Sequence, residues 1–191
     1  IGAKGHTPQT LRNLANIMAS HESLIAEALN LDHRRMNRYC KTVDPKFLEV
    51  LNKKKPETMA DLADIWYTTQ DAEYGRNQHY NSSRYKMLNY HAVFTKGTIE
   101  LRLFEFEAPA DGKQNGLHAG RLRAYIQFCL ALSQMAKEVK FASAKPQQHE
   151  NPKYAMRTWL LRMGFIGEEF KTAREVLTKK LSGDAAFRTA R

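Results

Sequence analysis

Leu88-Asn89-Tyr90-His91-Ala92-Val93-Phe94 and Ile99-Glu100-Leu101-Arg102-Leu103-Phe104, separated by Thr95-Lys96-Gly97-Thr98, carry the one pronounced β signal of the chain. Successive side chains of a strand point to opposite sides. The second run therefore puts Ile99, Leu101 and Leu103 on one face and Glu100, Arg102 and Phe104 on the other. A two-residue turn at Lys96-Gly97 predicts a hairpin over about 87–94 and 98–105. In that register Val93 faces Glu100 and His91 faces Arg102, so Asn89, His91, Glu100 and Arg102 share a polar face. Tyr90, Ala92, Phe94, Ile99, Leu101 and Leu103 share the apolar one. A three-residue turn would set His91 opposite Leu101 and mix the faces, because the side-chain period is two.

Around the hairpin the chain reads as helices. Thr7-Pro8 is an N-cap followed by a first-turn proline, and Leu11, Leu14, Ala15, Met18, Leu24, Ile25 and Leu29 follow at helical spacing, which predicts a helix over about 8–29. Short helices are expected over Asp32 to Cys40 and from Asp44-Pro45 through Leu51, and Thr58 caps another that carries Leu62, Ile65 and Trp66. Thr68 to Arg84 is polar and reads as a binding loop or lid. Further helices are expected over about 119–138, from Pro152 to Gly164, and after Gly167. The fold class is α+β: an antiparallel sheet remnant packed with about six to seven helices. The chain is expected to be a single domain over 1–191, with a helical region over 1–67, a polar loop over 68–86, the hairpin over 87–105 and a second helical region over 119–181. A hairpin with one polar face is marginally stable by itself, so this sheet calls for more strands.

Composition bounds the function. Hydrophobic residues make up 42% and charged residues 26% of 191, a globular balance. No apolar run approaches the ~20 residues of a membrane span. Ile1-Gly2-Ala3-Lys4 has no apolar core of a signal peptide. Cys40 and Cys129 lie far apart, outside any Cys-x-x-Cys pattern, and read as free thiols of a cytoplasmic protein. Thirty Lys and Arg against 20 Asp and Glu give a net charge of +10. Such a surface attracts nucleotide phosphates, acidic peptides or nucleic acid.

The chemistry-bearing residues cluster at the hairpin. Glu100 offers a carboxylate for Mg²⁺, whose ligands are oxygens. Arg102 can brace phosphate or carboxylate oxygens in a bidentate contact. Asn89 and His91 add polar contacts beside them; the same pattern also describes an exposed sheet face with a cross-strand ion pair. Arg84, at the mouth of the first strand, suits anion binding or an ordinary surface position. His79, in the polar loop, could touch substrate or stand in solvent. There is no Walker-type glycine loop, no Gly-x-Gly-x-x-Gly, no serine-nucleophile elbow and no His-x-x-x-His pattern. Any handling of ATP therefore falls to a sheet face.

Two stretches carry a family likeness. Arg84-Tyr85-Lys86-Met87-Leu88-Asn89 resembles the Arg-Tyr-x-x-Leu-Asn motif of amidoligases, and Thr98-Ile99-Glu100-Leu101-Arg102-Leu103-Phe104 resembles that family's Thr-[Val/Ile]-Glu-Phe-Arg-Leu-Phe strand. Leu11-Arg12-Asn13-Leu14, Leu117-His118-Ala119-Gly120, the Ala124–Phe128 helix and Arg157–Gly164 are similar to it too. The resemblance implies a glutamine-synthetase-like or glutamate–cysteine-ligase-like fold that joins a carboxylate to an amine at the expense of ATP, with Mg²⁺. It implies that Glu100 and Arg102 are catalytic, with Glu100 also a metal ligand, and that Arg84, Asn89, His91 and His79 bind substrate or nucleotide. In such enzymes an early Glu-x-Glu strand and a Gly-Leu-His-Val-His strand precede the first helix. Ile1-Gly2-Ala3 stands where the second would end, so the chain is expected to be a rear portion, completed by a front segment or a homo-oligomer, or a degenerate derivative. The loop Glu105–Asn115 is longer than its counterpart in the family. The alternative expectation is a non-catalytic basic protein on the same scaffold that binds nucleic acid or a nucleoprotein, of the mobile-element inhibitor type.

Overall fold

A computed structural model describes residues 1–105 and 119–188. The expected long loop lies almost wholly at 106–118, outside the described residues, as does His118. The described chain is α+β. Its helices are α1 (Pro8–Leu29), α2 (His33–Arg38), α3 (Pro45–Lys54), α4 (Met59–Thr69), α5 (His91–Lys96), α6 (Ala119–Glu138), α7 (Pro152–Arg162) and α8 (Lys171–Thr178). The strands β1 (Leu88–Asn89) and β2 (Glu100–Leu101) pair antiparallel.

The helix starts follow from local chemistry. The four leading N–H groups of a helix have no partner within it, so a short polar side chain just ahead of it is stabilising. Thr7 Oγ1 accepts from Thr10 N–H, Asp44 Oδ1 from Lys46 and Phe47, Thr58 Oγ1 from Asp61, and Asn151 Oδ1 from Tyr154. Proline occupies the first turn of α3 and α7, where its missing N–H costs nothing.

Two compact units divide the chain. The first comprises Ile1–Glu22, Asp32–Arg102 and Ser133–Pro146. Its core holds Phe47 edge-on to Trp66 at 4.9 Å, with Tyr90 at 5.4 Å from Trp66. The Tyr90 hydroxyl donates to the Leu11 carbonyl, and Trp66 Nε1 donates to Ser83 Oγ at 3.0 Å. Asn13 Nδ2 donates to the carbonyls of Ala136 and Val139, joining α1 to the end of α6. The second unit comprises Ser23–Leu31, Leu103–Leu132 and Gln147–Arg191. There Phe128 meets Trp159 edge-on at 5.8 Å, and Arg174 Nη1 donates to the carbonyls of Phe165 and Gly167. Both cysteines are buried, and neither is in a disulfide.

The sheet departs from the expected hairpin. Leu88 pairs with Leu101 and Asn89 with Glu100, whereas a Lys96-Gly97 turn would pair Val93 with Glu100. The residues between are α5, and Gly97, at φ 65°, closes it with an N–H shared by the carbonyls of Ala92 and Val93. A left-handed glycine ends a helix as readily as it turns a hairpin, so this Lys-Gly pair is a helix stop. Winding the segment into a helix lets Tyr90 enter the aromatic core and buries His91, Ala92 and Val93. Short bridges flank the pair: Gly2 lies antiparallel to Thr98, and Lys41 parallel to Lys86. Among the described residues, the further strands this sheet called for are present as these two short bridges.

Candidate functional site

The corrected register brings Asn89 and Glu100 face to face. Asn89 Nδ2 donates to Glu100 Oε2 at 2.7 Å, and Arg102 Nη1 donates to Glu100 Oε1, also at 2.7 Å. A carboxylate only accepts, which fixes the Asn89 amide with its nitrogen toward Glu100. Its oxygen then points elsewhere: Asn89 Oδ1 is buried and has no hydrogen-bond partner. Leaving such an acceptor unpaired costs about 1–3 kcal/mol, so it marks a place where a donor or a cation belongs.

Arg102 is held from several sides. Its Nε donates to the Tyr39 carbonyl at 3.2 Å, and its guanidinium lies 5.5 Å from the centre of the Tyr85 ring. Arg84 approaches the same ring at 5.8 Å, so Tyr85 carries both arginines. Arg84 Nη1 also donates to the His79 carbonyl at 3.0 Å and rests 5.4 Å from the Tyr80 ring. The His79 ring stands edge-on to Tyr80 at 4.6 Å. Asn89, Glu100, Arg102, Arg84 and His79 thus form one connected polar chain of contacts through Tyr85 and Tyr80.

His91 does not join them. With α5 in place of a strand, it stands in the core instead of facing Arg102, and it is only 3% exposed. Its Nε2 lies 2.9 Å from the Gln78 carbonyl and its Nδ1 lies 2.7 Å from the Tyr67 hydroxyl. Burial lowers its pKa, the Gln78 contact opposes that, and the charges of Arg84, His79 and Lys96 lower it further. A neutral ring beside a carbonyl carries its proton on Nε2, which leaves Nδ1 to accept; the single proton of the Tyr67 hydroxyl has both Nδ1 and the Arg76 carbonyl, at 3.1 Å, as acceptors. Burial likewise raises the Tyr67 pKa.

Sequence reasoning passed over Tyr85 and Tyr39 as site neighbours, and Tyr67 as the partner of His91. Tyr85 was within reach, since it follows Arg84 in the Arg-Tyr motif. Tyr39 contributes only a backbone carbonyl, which no sequence pattern marks.

The Glu100 carboxylate is a hard oxygen donor of the kind Mg²⁺ takes, while Asn89 Oδ1 is buried and turned away from it. Among the described residues no group of three or more His, Cys, Asp or Glu side chains could hold a metal by itself. Mg²⁺ in nucleotide sites commonly takes one or two carboxylates and completes its shell with water and phosphate oxygens, and Glu100 fits the place of one such carboxylate.

A model of the family described as "Putative amidoligase enzyme" matches residues 1–133. That span contains every residue of the polar cluster, and the chain belongs to this amidoligase family. No curated protein and no solved structure matches the chain. Among the described residues, no helix is long and apolar enough to cross a membrane.

Proposed function

We propose that the chain is a cytoplasmic, ATP- and Mg²⁺-dependent carboxylate–amine ligase, or the portion of one that holds nucleotide phosphates. The observation that carries this reading is the buried, unpaired Asn89 Oδ1 beside a Glu100 carboxylate braced by Arg102. In ligation of this class a substrate carboxylate oxygen attacks the γ-phosphorus and ADP departs. An amine nitrogen then attacks the acyl carbon, expelling phosphate and losing a proton. Both steps gather negative charge on phosphoryl oxygens, and positioned cations lower that barrier. Arg102 and Arg84, steadied on the Tyr85 ring, supply fixed guanidinium donors for those oxygens. Glu100 would hold Mg²⁺, which when bound would neutralise phosphate charge. Glu100 also keeps Arg102 oriented until substrate arrives.

The test is Mg²⁺-dependent phosphate release from ATP by the chain supplied with mixtures of amino acids and di-acids. Release that falls by about 100-fold or more in Glu100→Gln is expected. Equal release by Glu100→Gln, or no MgATP binding by calorimetry, would overturn the reading.

A second reading rests on charge. The helix α2 has no buried residue and presents Arg34 and Arg38 to solvent, in a chain of net charge +10. Binding to nucleic acid or a nucleoprotein is its consequence, and it would weaken steeply with salt through counterion release. Fluorescence anisotropy with labelled duplex DNA and RNA at two salt concentrations separates it from the ligase reading.

A further inference from the structure

A concavity of about 620 Å³ opens in the first unit, on the outer side of α5. Its size lies within the ordinary range for small-molecule sites. Ala63, Tyr67 and Val93, all nearly buried, make an apolar floor together with Phe94, whose ring lies 5.8 Å from that of Tyr67. Lys4 and Arg76 stand on its rim. None of these six residues belongs to the Asn89–Glu100–Arg102 cluster.

The charges at the rim select the occupant. Arg76 is laid across the Tyr67 ring at 4.9 Å, and its Nη2 donates to Asp64 at 2.8 Å. That pair fixes the guanidinium in place and leaves further N–H donors of its planar fork unused. Lys4 is exposed and forms no ion pair among the described residues. Two cations against the one carboxylate of Asp64 leave a single positive charge over an aromatic floor. A monoanion with an apolar body matches that balance; a bare dianion would gain the charge contacts and waste the floor.

We infer that the hollow between α4, α5 and the Lys4–Arg76 rim binds a small monocarboxylic acid, its carboxylate between Lys4 and Arg76 and its aromatic or branched body on Tyr67, Val93 and Phe94. The site stands independently of ATP chemistry and is expected even of a chain that hydrolyses none.

Nuclear magnetic resonance titration tests it, following the backbone amides of Ala60, Ala63, Val93 and Thr95. The probes are 3-phenylpropionate, its uncharged amide 3-phenylpropanamide, and inorganic phosphate. Saturable shifts of these amides with 3-phenylpropionate are expected, with affinity about tenfold weaker for the amide and about tenfold weaker in Lys4→Gln. Arg76→Gln is expected to weaken it similarly. Should loss of the Asp64 pair disturb folding there, the exposed Lys4 decides alone. Ala60→Trp, which fills the mouth from an exposed position, abolishes the shifts; Lys179→Gln, an exposed change in the second unit, leaves them intact. The inference is overturned if 3-phenylpropionate gives no saturable shift at millimolar concentration. It is overturned equally if the amide binds within twofold of the acid, or if phosphate moves the same resonances as strongly.

Discussion

Asn89 gives its amide N–H to Glu100 at 2.7 Å and turns its own oxygen, buried and unpaired, away from it. The carboxylate thereby has one oxygen on Asn89 and the other on Arg102, yet each oxygen keeps lone pairs for a further partner. This arrangement predicts a split between two isosteric changes. Asn89→Asp places a second carboxylate against Glu100, where the two like charges repel. In the absence of metal this variant is expected to lose about 1–3 kcal/mol of stability, and to regain some of it on adding millimolar Mg²⁺. Glu100→Gln keeps the shape, frees Arg102 and is expected to remove the Mg²⁺ response. Thermal unfolding with and without Mg²⁺ measures both; an Asn89→Asp chain indifferent to Mg²⁺ would count against a cation at this place.

Two buried titrating groups predict opposed pH arms. His6 sits between Thr10 Oγ1 at 3.0 Å and Ser133 Oγ at 2.8 Å, and burial with the Lys137 charge lowers its pKa from 6.5 to about 4. The fold thus favours neutral His6: its contribution is full above 6.5 and is lost as pH falls through about 4. Glu22 accepts from Val43 N–H at 3.1 Å, yet burial outweighs that bond and the charge of Lys86, raising its pKa from 4.5 to about 7. The fold favours protonated Glu22: its contribution is full below 4.5 and is lost as pH rises through about 7. Glu22→Gln retains the oxygen that meets Val43 and carries no charge. It is expected to raise stability at pH 8 by about 1–3 kcal/mol and to do little at pH 4. His6→Ala is expected to destabilise by about 1–3 kcal/mol at neutral pH, leaving Ser133 without its partner, and by less near pH 4. Denaturant unfolding across pH 4–8 checks the signs.

How far such features could be read in advance depended on whether the deciding signal was local. The span of α1 follows from Thr7-Pro8 and the helical spacing behind it, and that of α6 from its own apolar period. Their caps and periods lie within the segments themselves. The stretch from Tyr90 to Gly97 misled because its local signal has two solutions. Lys96-Gly97 fits a hairpin turn or a helix stop, and Tyr90 to Phe94 alternates acceptably as a strand. What decides is distant: the Leu11 carbonyl waiting for the Tyr90 hydroxyl, and Tyr67 waiting for His91. Asn89, Glu100 and Arg102 kept a common side because Glu100 pairs with Asn89 in place of Val93, an even change of register that preserves the faces. His91 lost its place because it lay on the stretch that became helix.

The aromatic centre that captured this segment should dominate the stability of the first unit. Tyr90 is fully buried, and Phe47 and Trp66 pack around it. Tyr90→Phe keeps the ring and removes the hydroxyl's bond to the Leu11 carbonyl, so a loss of about 1 kcal/mol is expected. Phe47→Ala empties the space between Trp66 and Tyr90 and is expected to cost about 3–5 kcal/mol. Urea unfolding midpoints rank the two, and a Tyr90→Phe chain less stable than Phe47→Ala would contradict this packing.

His91, which a resemblance to ligases assigns to substrate, lies against Tyr67 and Gln78 in the structure. The two roles differ in protonation. A histidine that meets substrate at a solvent-facing site titrates near its ordinary value. A buried one is held toward the neutral form, because burial removes the water that would stabilise its charge. Nitrogen-15 shifts of the ring are expected to report an Nε2–H form that persists as pH falls through the ordinary imidazole value of 6.5. His91→Gln is expected to destabilise by about 1–3 kcal/mol, because one amide cannot satisfy Tyr67 and Gln78 at the distances the ring spans. Any loss of activity in that variant should then follow its unfolding curve, returning at temperatures where the chain is fully folded. An activity loss that persists in the fully folded variant, with a ring that titrates near 6.5 in the parent chain, would return His91 to the substrate.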